Sequence, residues 1–261
     1  MADRPPILEH PGFGPGVIEP ARLYRKRRRI PSRVVLCFFL DILKRKARSG
    51  QIAPLTRLAG EGEAIEVWSA GRGRKALGVC FPGVGAPFAA STLEELIALG
   101  GRAFIACGAA GVLDSQIEAG AIILPTAALR DEGTSYHYQR RGRYSRPHPE
   151  ALRAIRAACR HRGLRYRSGR IWTTDAVFRE TVAQVRRRRE EGCLAVEMEA
   201  ASLFAVAAFR KVIFGQLLYA GDDVSAADWK HRRWMQLDRV RAGLFELALD
   251  ACRRLPGADP R

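Results

Sequence analysis

Lysine is scarce in this chain. Six lysines stand against 38 arginines in 261 residues, and the formal net charge is +17. An arginine excess of that kind follows from GC-rich coding as readily as from selected chemistry. The positive charge is dispersed through residues 25–29, 44–48, 140–143, 160–170, 186–189 and 232–233. Those clusters are poor in aromatics and match no nucleic-acid-binding motif, so no specific nucleic-acid partner is expected. They read as solvated faces whose field attracts anions of any kind. No apolar run reaches membrane-spanning length, and Met1-Ala2-Asp3-Arg4-Pro5-Pro6 is followed by no apolar leader segment, which leads us to expect a cytoplasmic protein with no membrane partner. The six cysteines (37, 80, 107, 159, 193, 252) form no C-x-x-C, and no histidines group at metal-ligand spacing. This is a reduced pattern of core thiols without a metal site.

Apolar residues make up 47% of the chain, enough to bury one enzyme-sized core. No internal repeat is evident. Residues 1–32 are rich in Pro and Arg and read as an extended N-terminal arm ahead of a single domain over 33–261. Within that domain, short apolar segments at 65–68, 76–81, 103–106, 121–124, 169–173, 193–196 and 212–219 read as strands. Helical spacing runs over 149–160, 199–209 and 229–251, and Ser91-Thr92-Leu93-Glu94 reads as a capping box opening another helix. Alternation of this kind indicates an α/β sandwich.

The run Leu194-Ala195-Val196-Glu197-Met198-Glu199-Ala200-Ala201 places two carboxylates inside an apolar stretch. Acids are favoured at a helix start by its dipole. However, an ionised carboxylate among apolar neighbours is costly unless it is paired or hydrogen-bonded. Carboxylates held in that way are suited to gripping the vicinal hydroxyls of a sugar. The Val-Glu-Met-Glu-Ala run resembles the ribose-binding signature of the nucleoside phosphorylases that include uridine phosphorylase and the hexameric purine nucleoside phosphorylases. Further segments agree in order: Gly83-Val84-Gly85-Ala86-Pro87, Gly108-Ala109-Ala110-Gly111 with Ile117-Glu118-Ala119-Gly120-Ala121, Arg130 to Tyr138, Trp172-Thr173-Thr174-Asp175-Ala176, and Tyr219-Ala220-Gly221-Asp222-Asp223. The resemblance covers roughly residues 75–225. It implies a three-layer α/β/α sandwich around a mixed twisted sheet, a nucleoside phosphorylase-like catalytic domain, and a homo-oligomer built from dimers, up to a hexamer.

Cleaving a C–N glycosidic bond develops oxocarbenium character on the sugar and expels the base as an anion unless it is protonated. By resemblance, Glu199 is the hydroxyl clamp, assisted by Glu197, with Met198 packing against the sugar. Asp222 takes the place of the proton donor to the base; Asp223 beside it leaves that choice open at the sequence level. Trp172, Val177 and Phe178 border the base, with packing in the core as the competing reading for each. Arg179 and Glu180 follow where uridine phosphorylases carry a uracil-reading Gln/Arg pair, which tilts the reading toward purines. Tyr138 and His137 are candidates to reach the site from their loop. Gly85 and Gly108 read as strand-end glycines whose N–H groups cradle an anion or permit a turn.

The nucleophile is where the pattern departs from the family. The arginine before the Gly-x-x-Gly segment and the Ser/Thr inside it are Ala106 and Ala109 here, and neither side chain donates a hydrogen bond. Arg22, in Ile18-Glu19-Pro20-Ala21-Arg22, is a weak echo of the family's phosphate loop and completes the anion-site candidates. The expected activity is phosphorolysis of a nucleoside to base and (deoxy)ribose 1-phosphate, with phosphate as co-substrate and no cofactor or metal. The alternatives are a hydrolytic nucleosidase and a non-catalytic nucleoside- or RNA-binding module.

Overall fold

The strands are apolar almost end to end, as strands covered on both faces must be. The computed structural model describes residues 5–256 except 10, 11, 13, 28, 59–63 and 141. In chain order the elements are α1 (Pro20–Leu23), β1 (Arg33–Cys37), α2 (Leu40–Arg48), β2 (Ile52–Leu58), β3 (Ile65–Ala70), β4 (Leu77–Cys80), α3 (Ala86–Ala98), β5 (Ala103–Val112), β6 (Ile122–Asp131), β7 (Tyr144–Ser145), α4 (Pro149–His161), β8 (Tyr166–Thr174), α5 (Val182–Glu190), β9 (Cys193–Glu197), α6 (Ala200–Phe209), β10 (Ile213–Asp223) and α7 (Asp238–Arg253).

Among the described residues the ten strands form one mixed sheet, in the order β10-β6-β8-β9-β5-β1-β4-β3-β2 with β7 on β6. An additional pairing of β10 with β5 closes β5, β10, β6, β8 and β9 into a ring. Helices α3 and α6 cover one face through Ala89, Leu93, Leu203 and Phe204. Helices α2, α4 and α7 cover the other through Leu43, Ile155, Phe245 and Leu249. The result is the expected three-layer α/β/α arrangement around a mixed sheet. Helix α6, Ala-Ala-Ser-Leu-Phe-Ala-Val-Ala-Ala-Phe, is apolar all round and buried accordingly.

The sheet forks along β5. Strand β1 runs parallel to it as far as the pair Cys37–Cys107. Strand β9 joins antiparallel only at Gly111–Val196. Residues 108–110 therefore lie between two departing neighbours, at a switch of strand order of the kind where α/β sheets open a ligand crevice.

Several boundaries differ from those the sequence suggests. The third helix opens at Ala86 behind Gly85, whose φ of +96° suits a residue without Cβ. Ser91 and Thr92 are helix-interior residues whose hydroxyls donate to the carbonyls of Pro87 and Pro82, both at 3.0 Å. Gly108 to Gly111, expected as a turn, continue β5 as regular strand. The last helix starts at Asp238 rather than 229, because Arg232 and Arg233 both take φ of +48° and break the helical path. Strands β1 and β2 and helix α2 were not distinguished in the sequence. Of the N-terminal segment, residues 6–8 form a 3-10 turn and α1 leans on α3, where the Tyr24 hydroxyl donates to Glu95 at 2.6 Å.

Gly215 sets the distance between the sheet and α4: a Cβ there would lie 2.6 Å from the Ala151 Cβ. Gly215→Ala is expected to lower stability by about 1–3 kcal/mol, the usual cost of overpacking a core. The urea-unfolding midpoint of the variant checks this.

Candidate active site

Two carboxylates two residues apart perform different tasks at the foot of α6. Glu197, the last residue of β9, is 7% exposed. Its Oε1 accepts the Thr173 hydroxyl at 2.6 Å, and its Oε2 accepts the backbone N–H groups of Glu199 and Ala200 at 2.9 and 2.8 Å. The Thr173 oxygen in turn accepts the Ala201 N–H at 3.0 Å. The first N–H groups of α6 are thus capped from the strands below it, which is the task an N-cap side chain usually performs. Glu199 occupies the N-cap position but makes no cap hydrogen bond of its own. Its side chain is free to reach across to the next helix, where its Oε1 accepts the N–H of Gly85 at 2.6 Å.

The start of α3 is therefore tied through Gly85 to the buried carboxylate at the start of α6. Burial pushes both glutamates above the usual carboxylate range, and the charge of Glu197 raises Glu199 further. Met198 lies between them and is half-buried.

Asp222 lies near the end of β10. A Cβ on Gly111 would lie 3.3 Å from Asp222 Oδ1 and 3.3 Å from Val196 Cγ1, so the bare Gly111 sits between Asp222 and the strand that carries Glu197. Asp222 Oδ2 accepts the Trp229 indole N–H at 2.7 Å. Glu180 lies nearby, and burial together with the charge of Asp222 pushes its carboxyl up to about 7. Asp223 is 1% exposed and ion-paired with Arg232 at 2.6 Å. Although burial opposes it, hydrogen bonds to Ser225 and the charges of Arg232 and Lys230 keep its carboxyl below the ordinary value. Of the two adjacent aspartates, Asp223 is buried in an ion pair, whereas Asp222 is partly exposed and bonded to Trp229.

The remaining candidates divide. Val177 and Phe178 lie in the 3-10 turn Val177–Arg179 that leads to Glu180, and they are 46% and 96% exposed. Trp172 is 1% exposed, donates to Asp131 at 2.9 Å and lies under the Arg188 guanidinium. It packs with Leu113, Leu129 and Val196 as core and presents no face to a heterocycle.

Gly108 and Ala109 face the fork in the sheet. The face of Gly108 is covered by Phe38, whose Cδ2 lies 3.3 Å from the position a Cβ would take. Ala106 is wholly buried. Arg22 is exposed on α1. That short helix leans on Glu95, about 15 Å along α3 from Gly85 at 1.5 Å per residue. This corrects the echo of a phosphate loop at Arg22, which sits at the far end of α3. Tyr138 packs edge-on against Phe209 beyond the last turn of α6 and does not approach Glu199. A cleft of about 840 Å³ lies there as well, lined by Glu19, Tyr138, Phe209 and Arg210. It belongs to the opposite end of α6 from the carboxylates.

With this geometry in view, the comparisons with known proteins are specific. A family profile described as the phosphorylase superfamily matches residues 56–249. The chain belongs to that superfamily. It is 31% identical over 154 residues to guanosine phosphorylase of Halorubrum lacusprofundi, covering 59% of this chain and 64% of the relative. Over 147 residues it is 32% identical to uridine phosphorylase of Thermococcus kodakarensis, covering 50% of this chain and 52% of the relative. The matches thus span between about half and two thirds of these curated relatives. AMP nucleosidase from Bacteroides thetaiotaomicron superposes with a TM-score of 0.69 at 26% identity, covering 85% of this chain and 87% of that one. Purine nucleoside phosphorylase from Toxoplasma gondii, in complex with immucillin-H, gives 0.74 at 17% identity over 92% and 98% of the two chains, a likeness of fold.

Thr173 and Trp229 touch the candidate carboxylates Glu197 and Asp222 but were not singled out in the sequence as site residues. Thr173 lies inside a quoted motif, but its place beside Glu197 emerges only from the β8–β9 register. Nothing in the sequence pairs Trp229 with Asp222. Among the described residues, no helix is long and apolar enough to cross a membrane.

The raised carboxyls give a signed prediction. Glu197 and Glu199 hold their protons more tightly in the folded chain than in the unfolded one, so their contribution to stability is full below the ordinary glutamate pKa and is lost as pH rises through the raised folded values. Glu199→Gln is expected to flatten that loss between mildly acidic and mildly alkaline pH. Denaturant midpoints across the range check it.

Proposed function

We propose that this protein cleaves the N-glycosidic bond of a nucleoside. The observation that carries the reading is the buried Glu199 carboxylate, held by Gly85 at 2.6 Å and flanked by Glu197, at the same sheet end as Asp222. With Oε1 taken by Gly85, Oε2 is the oxygen that meets a ribose hydroxyl, and the hydrogen bond strengthens as positive charge develops on the sugar. Asp222 supplies the proton to the departing base. No step requires a cofactor.

The geometry supports water as acceptor, which reverses the order expected from the sequence. Where an anion would approach the fork beside Gly108, Phe38 presents an aromatic ring, and the neighbouring positions 106 and 109 carry methyl groups. An anion placed there would lose its hydration without gaining a charged partner. Phosphorolysis is the second reading, supported by the names of the relatives of Halorubrum and Thermococcus. The net charge of +17 favours anionic substrates, so nucleoside 5′-monophosphates belong beside nucleosides in any trial. The exposed Phe178 and Val177 at the rim support a homo-oligomer as part of the same proposal.

A panel of purine and pyrimidine nucleosides and their 5′-phosphates, incubated with and without inorganic phosphate, tests the reading. Base release at equal rates in both conditions is expected, and release only with phosphate would restore phosphorolysis. Glu199→Ala is expected to reduce kcat/KM by the equivalent of about 2–4 kcal/mol, the scale of losing one oriented transition-state contact. Activity within about twofold of wild type would remove Glu199 from the mechanism. Asp222→Asn is expected to slow natural nucleosides far more than substrates with activated leaving groups, because only the former need protonation.

A further inference from the structure

The segment between β10 and α7 carries a device that the proposed chemistry does not yet use. Trp229 is 60% exposed, so burial of its ring does not account for its position. What fixes it is a set of bonds at the base of its loop. Asp223 and Lys230 exchange both backbone hydrogen bonds at 3.0 Å. Arg232 donates to Asp223 at 2.6 Å and to the Ile117 carbonyl at 2.8 Å. The Tyr219 hydroxyl donates to the Trp234 carbonyl at 2.9 Å. Two consecutive non-glycine residues, Arg232 and Arg233, hold φ of +48° to bring Arg232 back onto Asp223. Backbone strain of this kind persists where the surroundings over-determine it, and it concentrates at functional sites. The outcome is the 2.7 Å hydrogen bond from the Trp229 indole to Asp222 Oδ2.

We propose that Trp229 is a positioning residue for Asp222, fixing which carboxyl oxygen carries the proton delivered to the leaving base. This rests on the glycosidic-cleavage reading above. An indole N–H is a donor only. Its hydrogen bond to Oδ2 therefore makes that oxygen an acceptor and assigns the acid proton to Oδ1. Oδ1 is the oxygen that faces Gly111, and a side chain at position 111 would crowd it. In the reaction the C–N bond breaks and its electron pair passes to the base nitrogen. That nitrogen takes the proton from Oδ1, and the resulting carboxylate is stabilised by the Trp229 N–H. Water adds to the sugar carbon, and the proton it releases restores the acid. The titratable groups that feel the charge of this carboxyl are Glu180, from the turn after β8, and Tyr219, from β10; Asp223 beside it is engaged with Arg232 and Lys230.

The test is Trp229→Phe, which keeps a ring and removes the N–H. For natural nucleosides kcat is expected to fall about tenfold to a hundredfold, the scale of one hydrogen bond to a charged group. KM should stay within about twofold, and a 4-nitrophenyl riboside, whose leaving group needs no proton, should be turned over at nearly the wild-type rate. The alkaline limb of the pH profile, where the acid form is lost, should move to higher pH. The double variant with Asp222→Asn should lose no more than Asp222→Asn alone. Equal losses on both substrates, or a change in KM alone, would overturn the proposal. A second measurement does not depend on turnover. In the full chain, the Trp229 indole N–H resonance should shift on Asp222→Asn, and the Asp222 carboxyl ¹³C titration should move to higher pH in Trp229→Phe. If neither moves, the contact has no role, whatever the nucleoside panel shows. If both move and no nucleoside is cleaved, the coupling stands and the glycosidic reading fails.

Discussion

A helix that begins inside a protein must satisfy its first N–H groups without water. Helix α6 does so with the carboxylate of Glu197 and the hydroxyl of Thr173, both supplied by strands beneath it. The rest of the site depends on this arrangement. Had Glu199 been needed as the cap, its carboxylate would have turned back on its own helix. Because Glu197 takes that task, Glu199 extends to Gly85 and ties the start of α6 to the start of α3. Gly85 takes part through its backbone and a positive φ that a residue with Cβ adopts only under strain. Two carboxylates at this density are costly to ionise, and the raised pKa of each records that cost.

The arginines that dominate the composition are in good part structural. Arg130 is buried and donates to Ser135 and to the carbonyls of Gln139, Arg140 and Gly142, which shapes the loop after β6. Arg188 pairs with Asp131 over the Trp172 ring, and Arg210 bridges Glu94 and Glu19 to hold the N-terminal segment on α3 and α6. Arg232 secures the loop that carries Trp229. Each places a guanidinium where several carbonyls or a carboxylate need donors in a fixed fan, which a lysine ammonium satisfies less well.

The contrast between the two ends of α6 guards against reading function from cavity size. A cleft of about 840 Å³ lies at its C-terminal end, framed by Tyr138, Phe209 and the Arg210 network. The convergent carboxylates lie at its N-terminal end, beside the fork where β1 and β9 part from β5. Catalysis needs oriented groups near a reacting atom rather than volume.

Motif order in the sequence was enough to place the chain in its superfamily, because glycine, proline and acid spacings record local backbone demands. It also drew attention to Glu197, Glu199 and Asp222, since burying a carboxylate in an apolar run is costly unless it is bonded. The alternation of strands and helices gave the layered architecture, although Ser91-Thr92-Leu93-Glu94 mimicked a helix start that Gly85 in fact provides. What the sequence could not decide depended on contacts between distant segments. Trp172 is core because Asp131 and Arg188, far along the chain, enclose it. Phe38 occupies the space beside Gly108 only because β1 ends against β5 at Cys107. Asp222 was separated from Asp223 by an arginine nine residues further on, carried back by two left-handed residues. Local patterns determine which groups are present and which way a strand or helix runs, whereas closure of the sheet into a ring decides which of them meet.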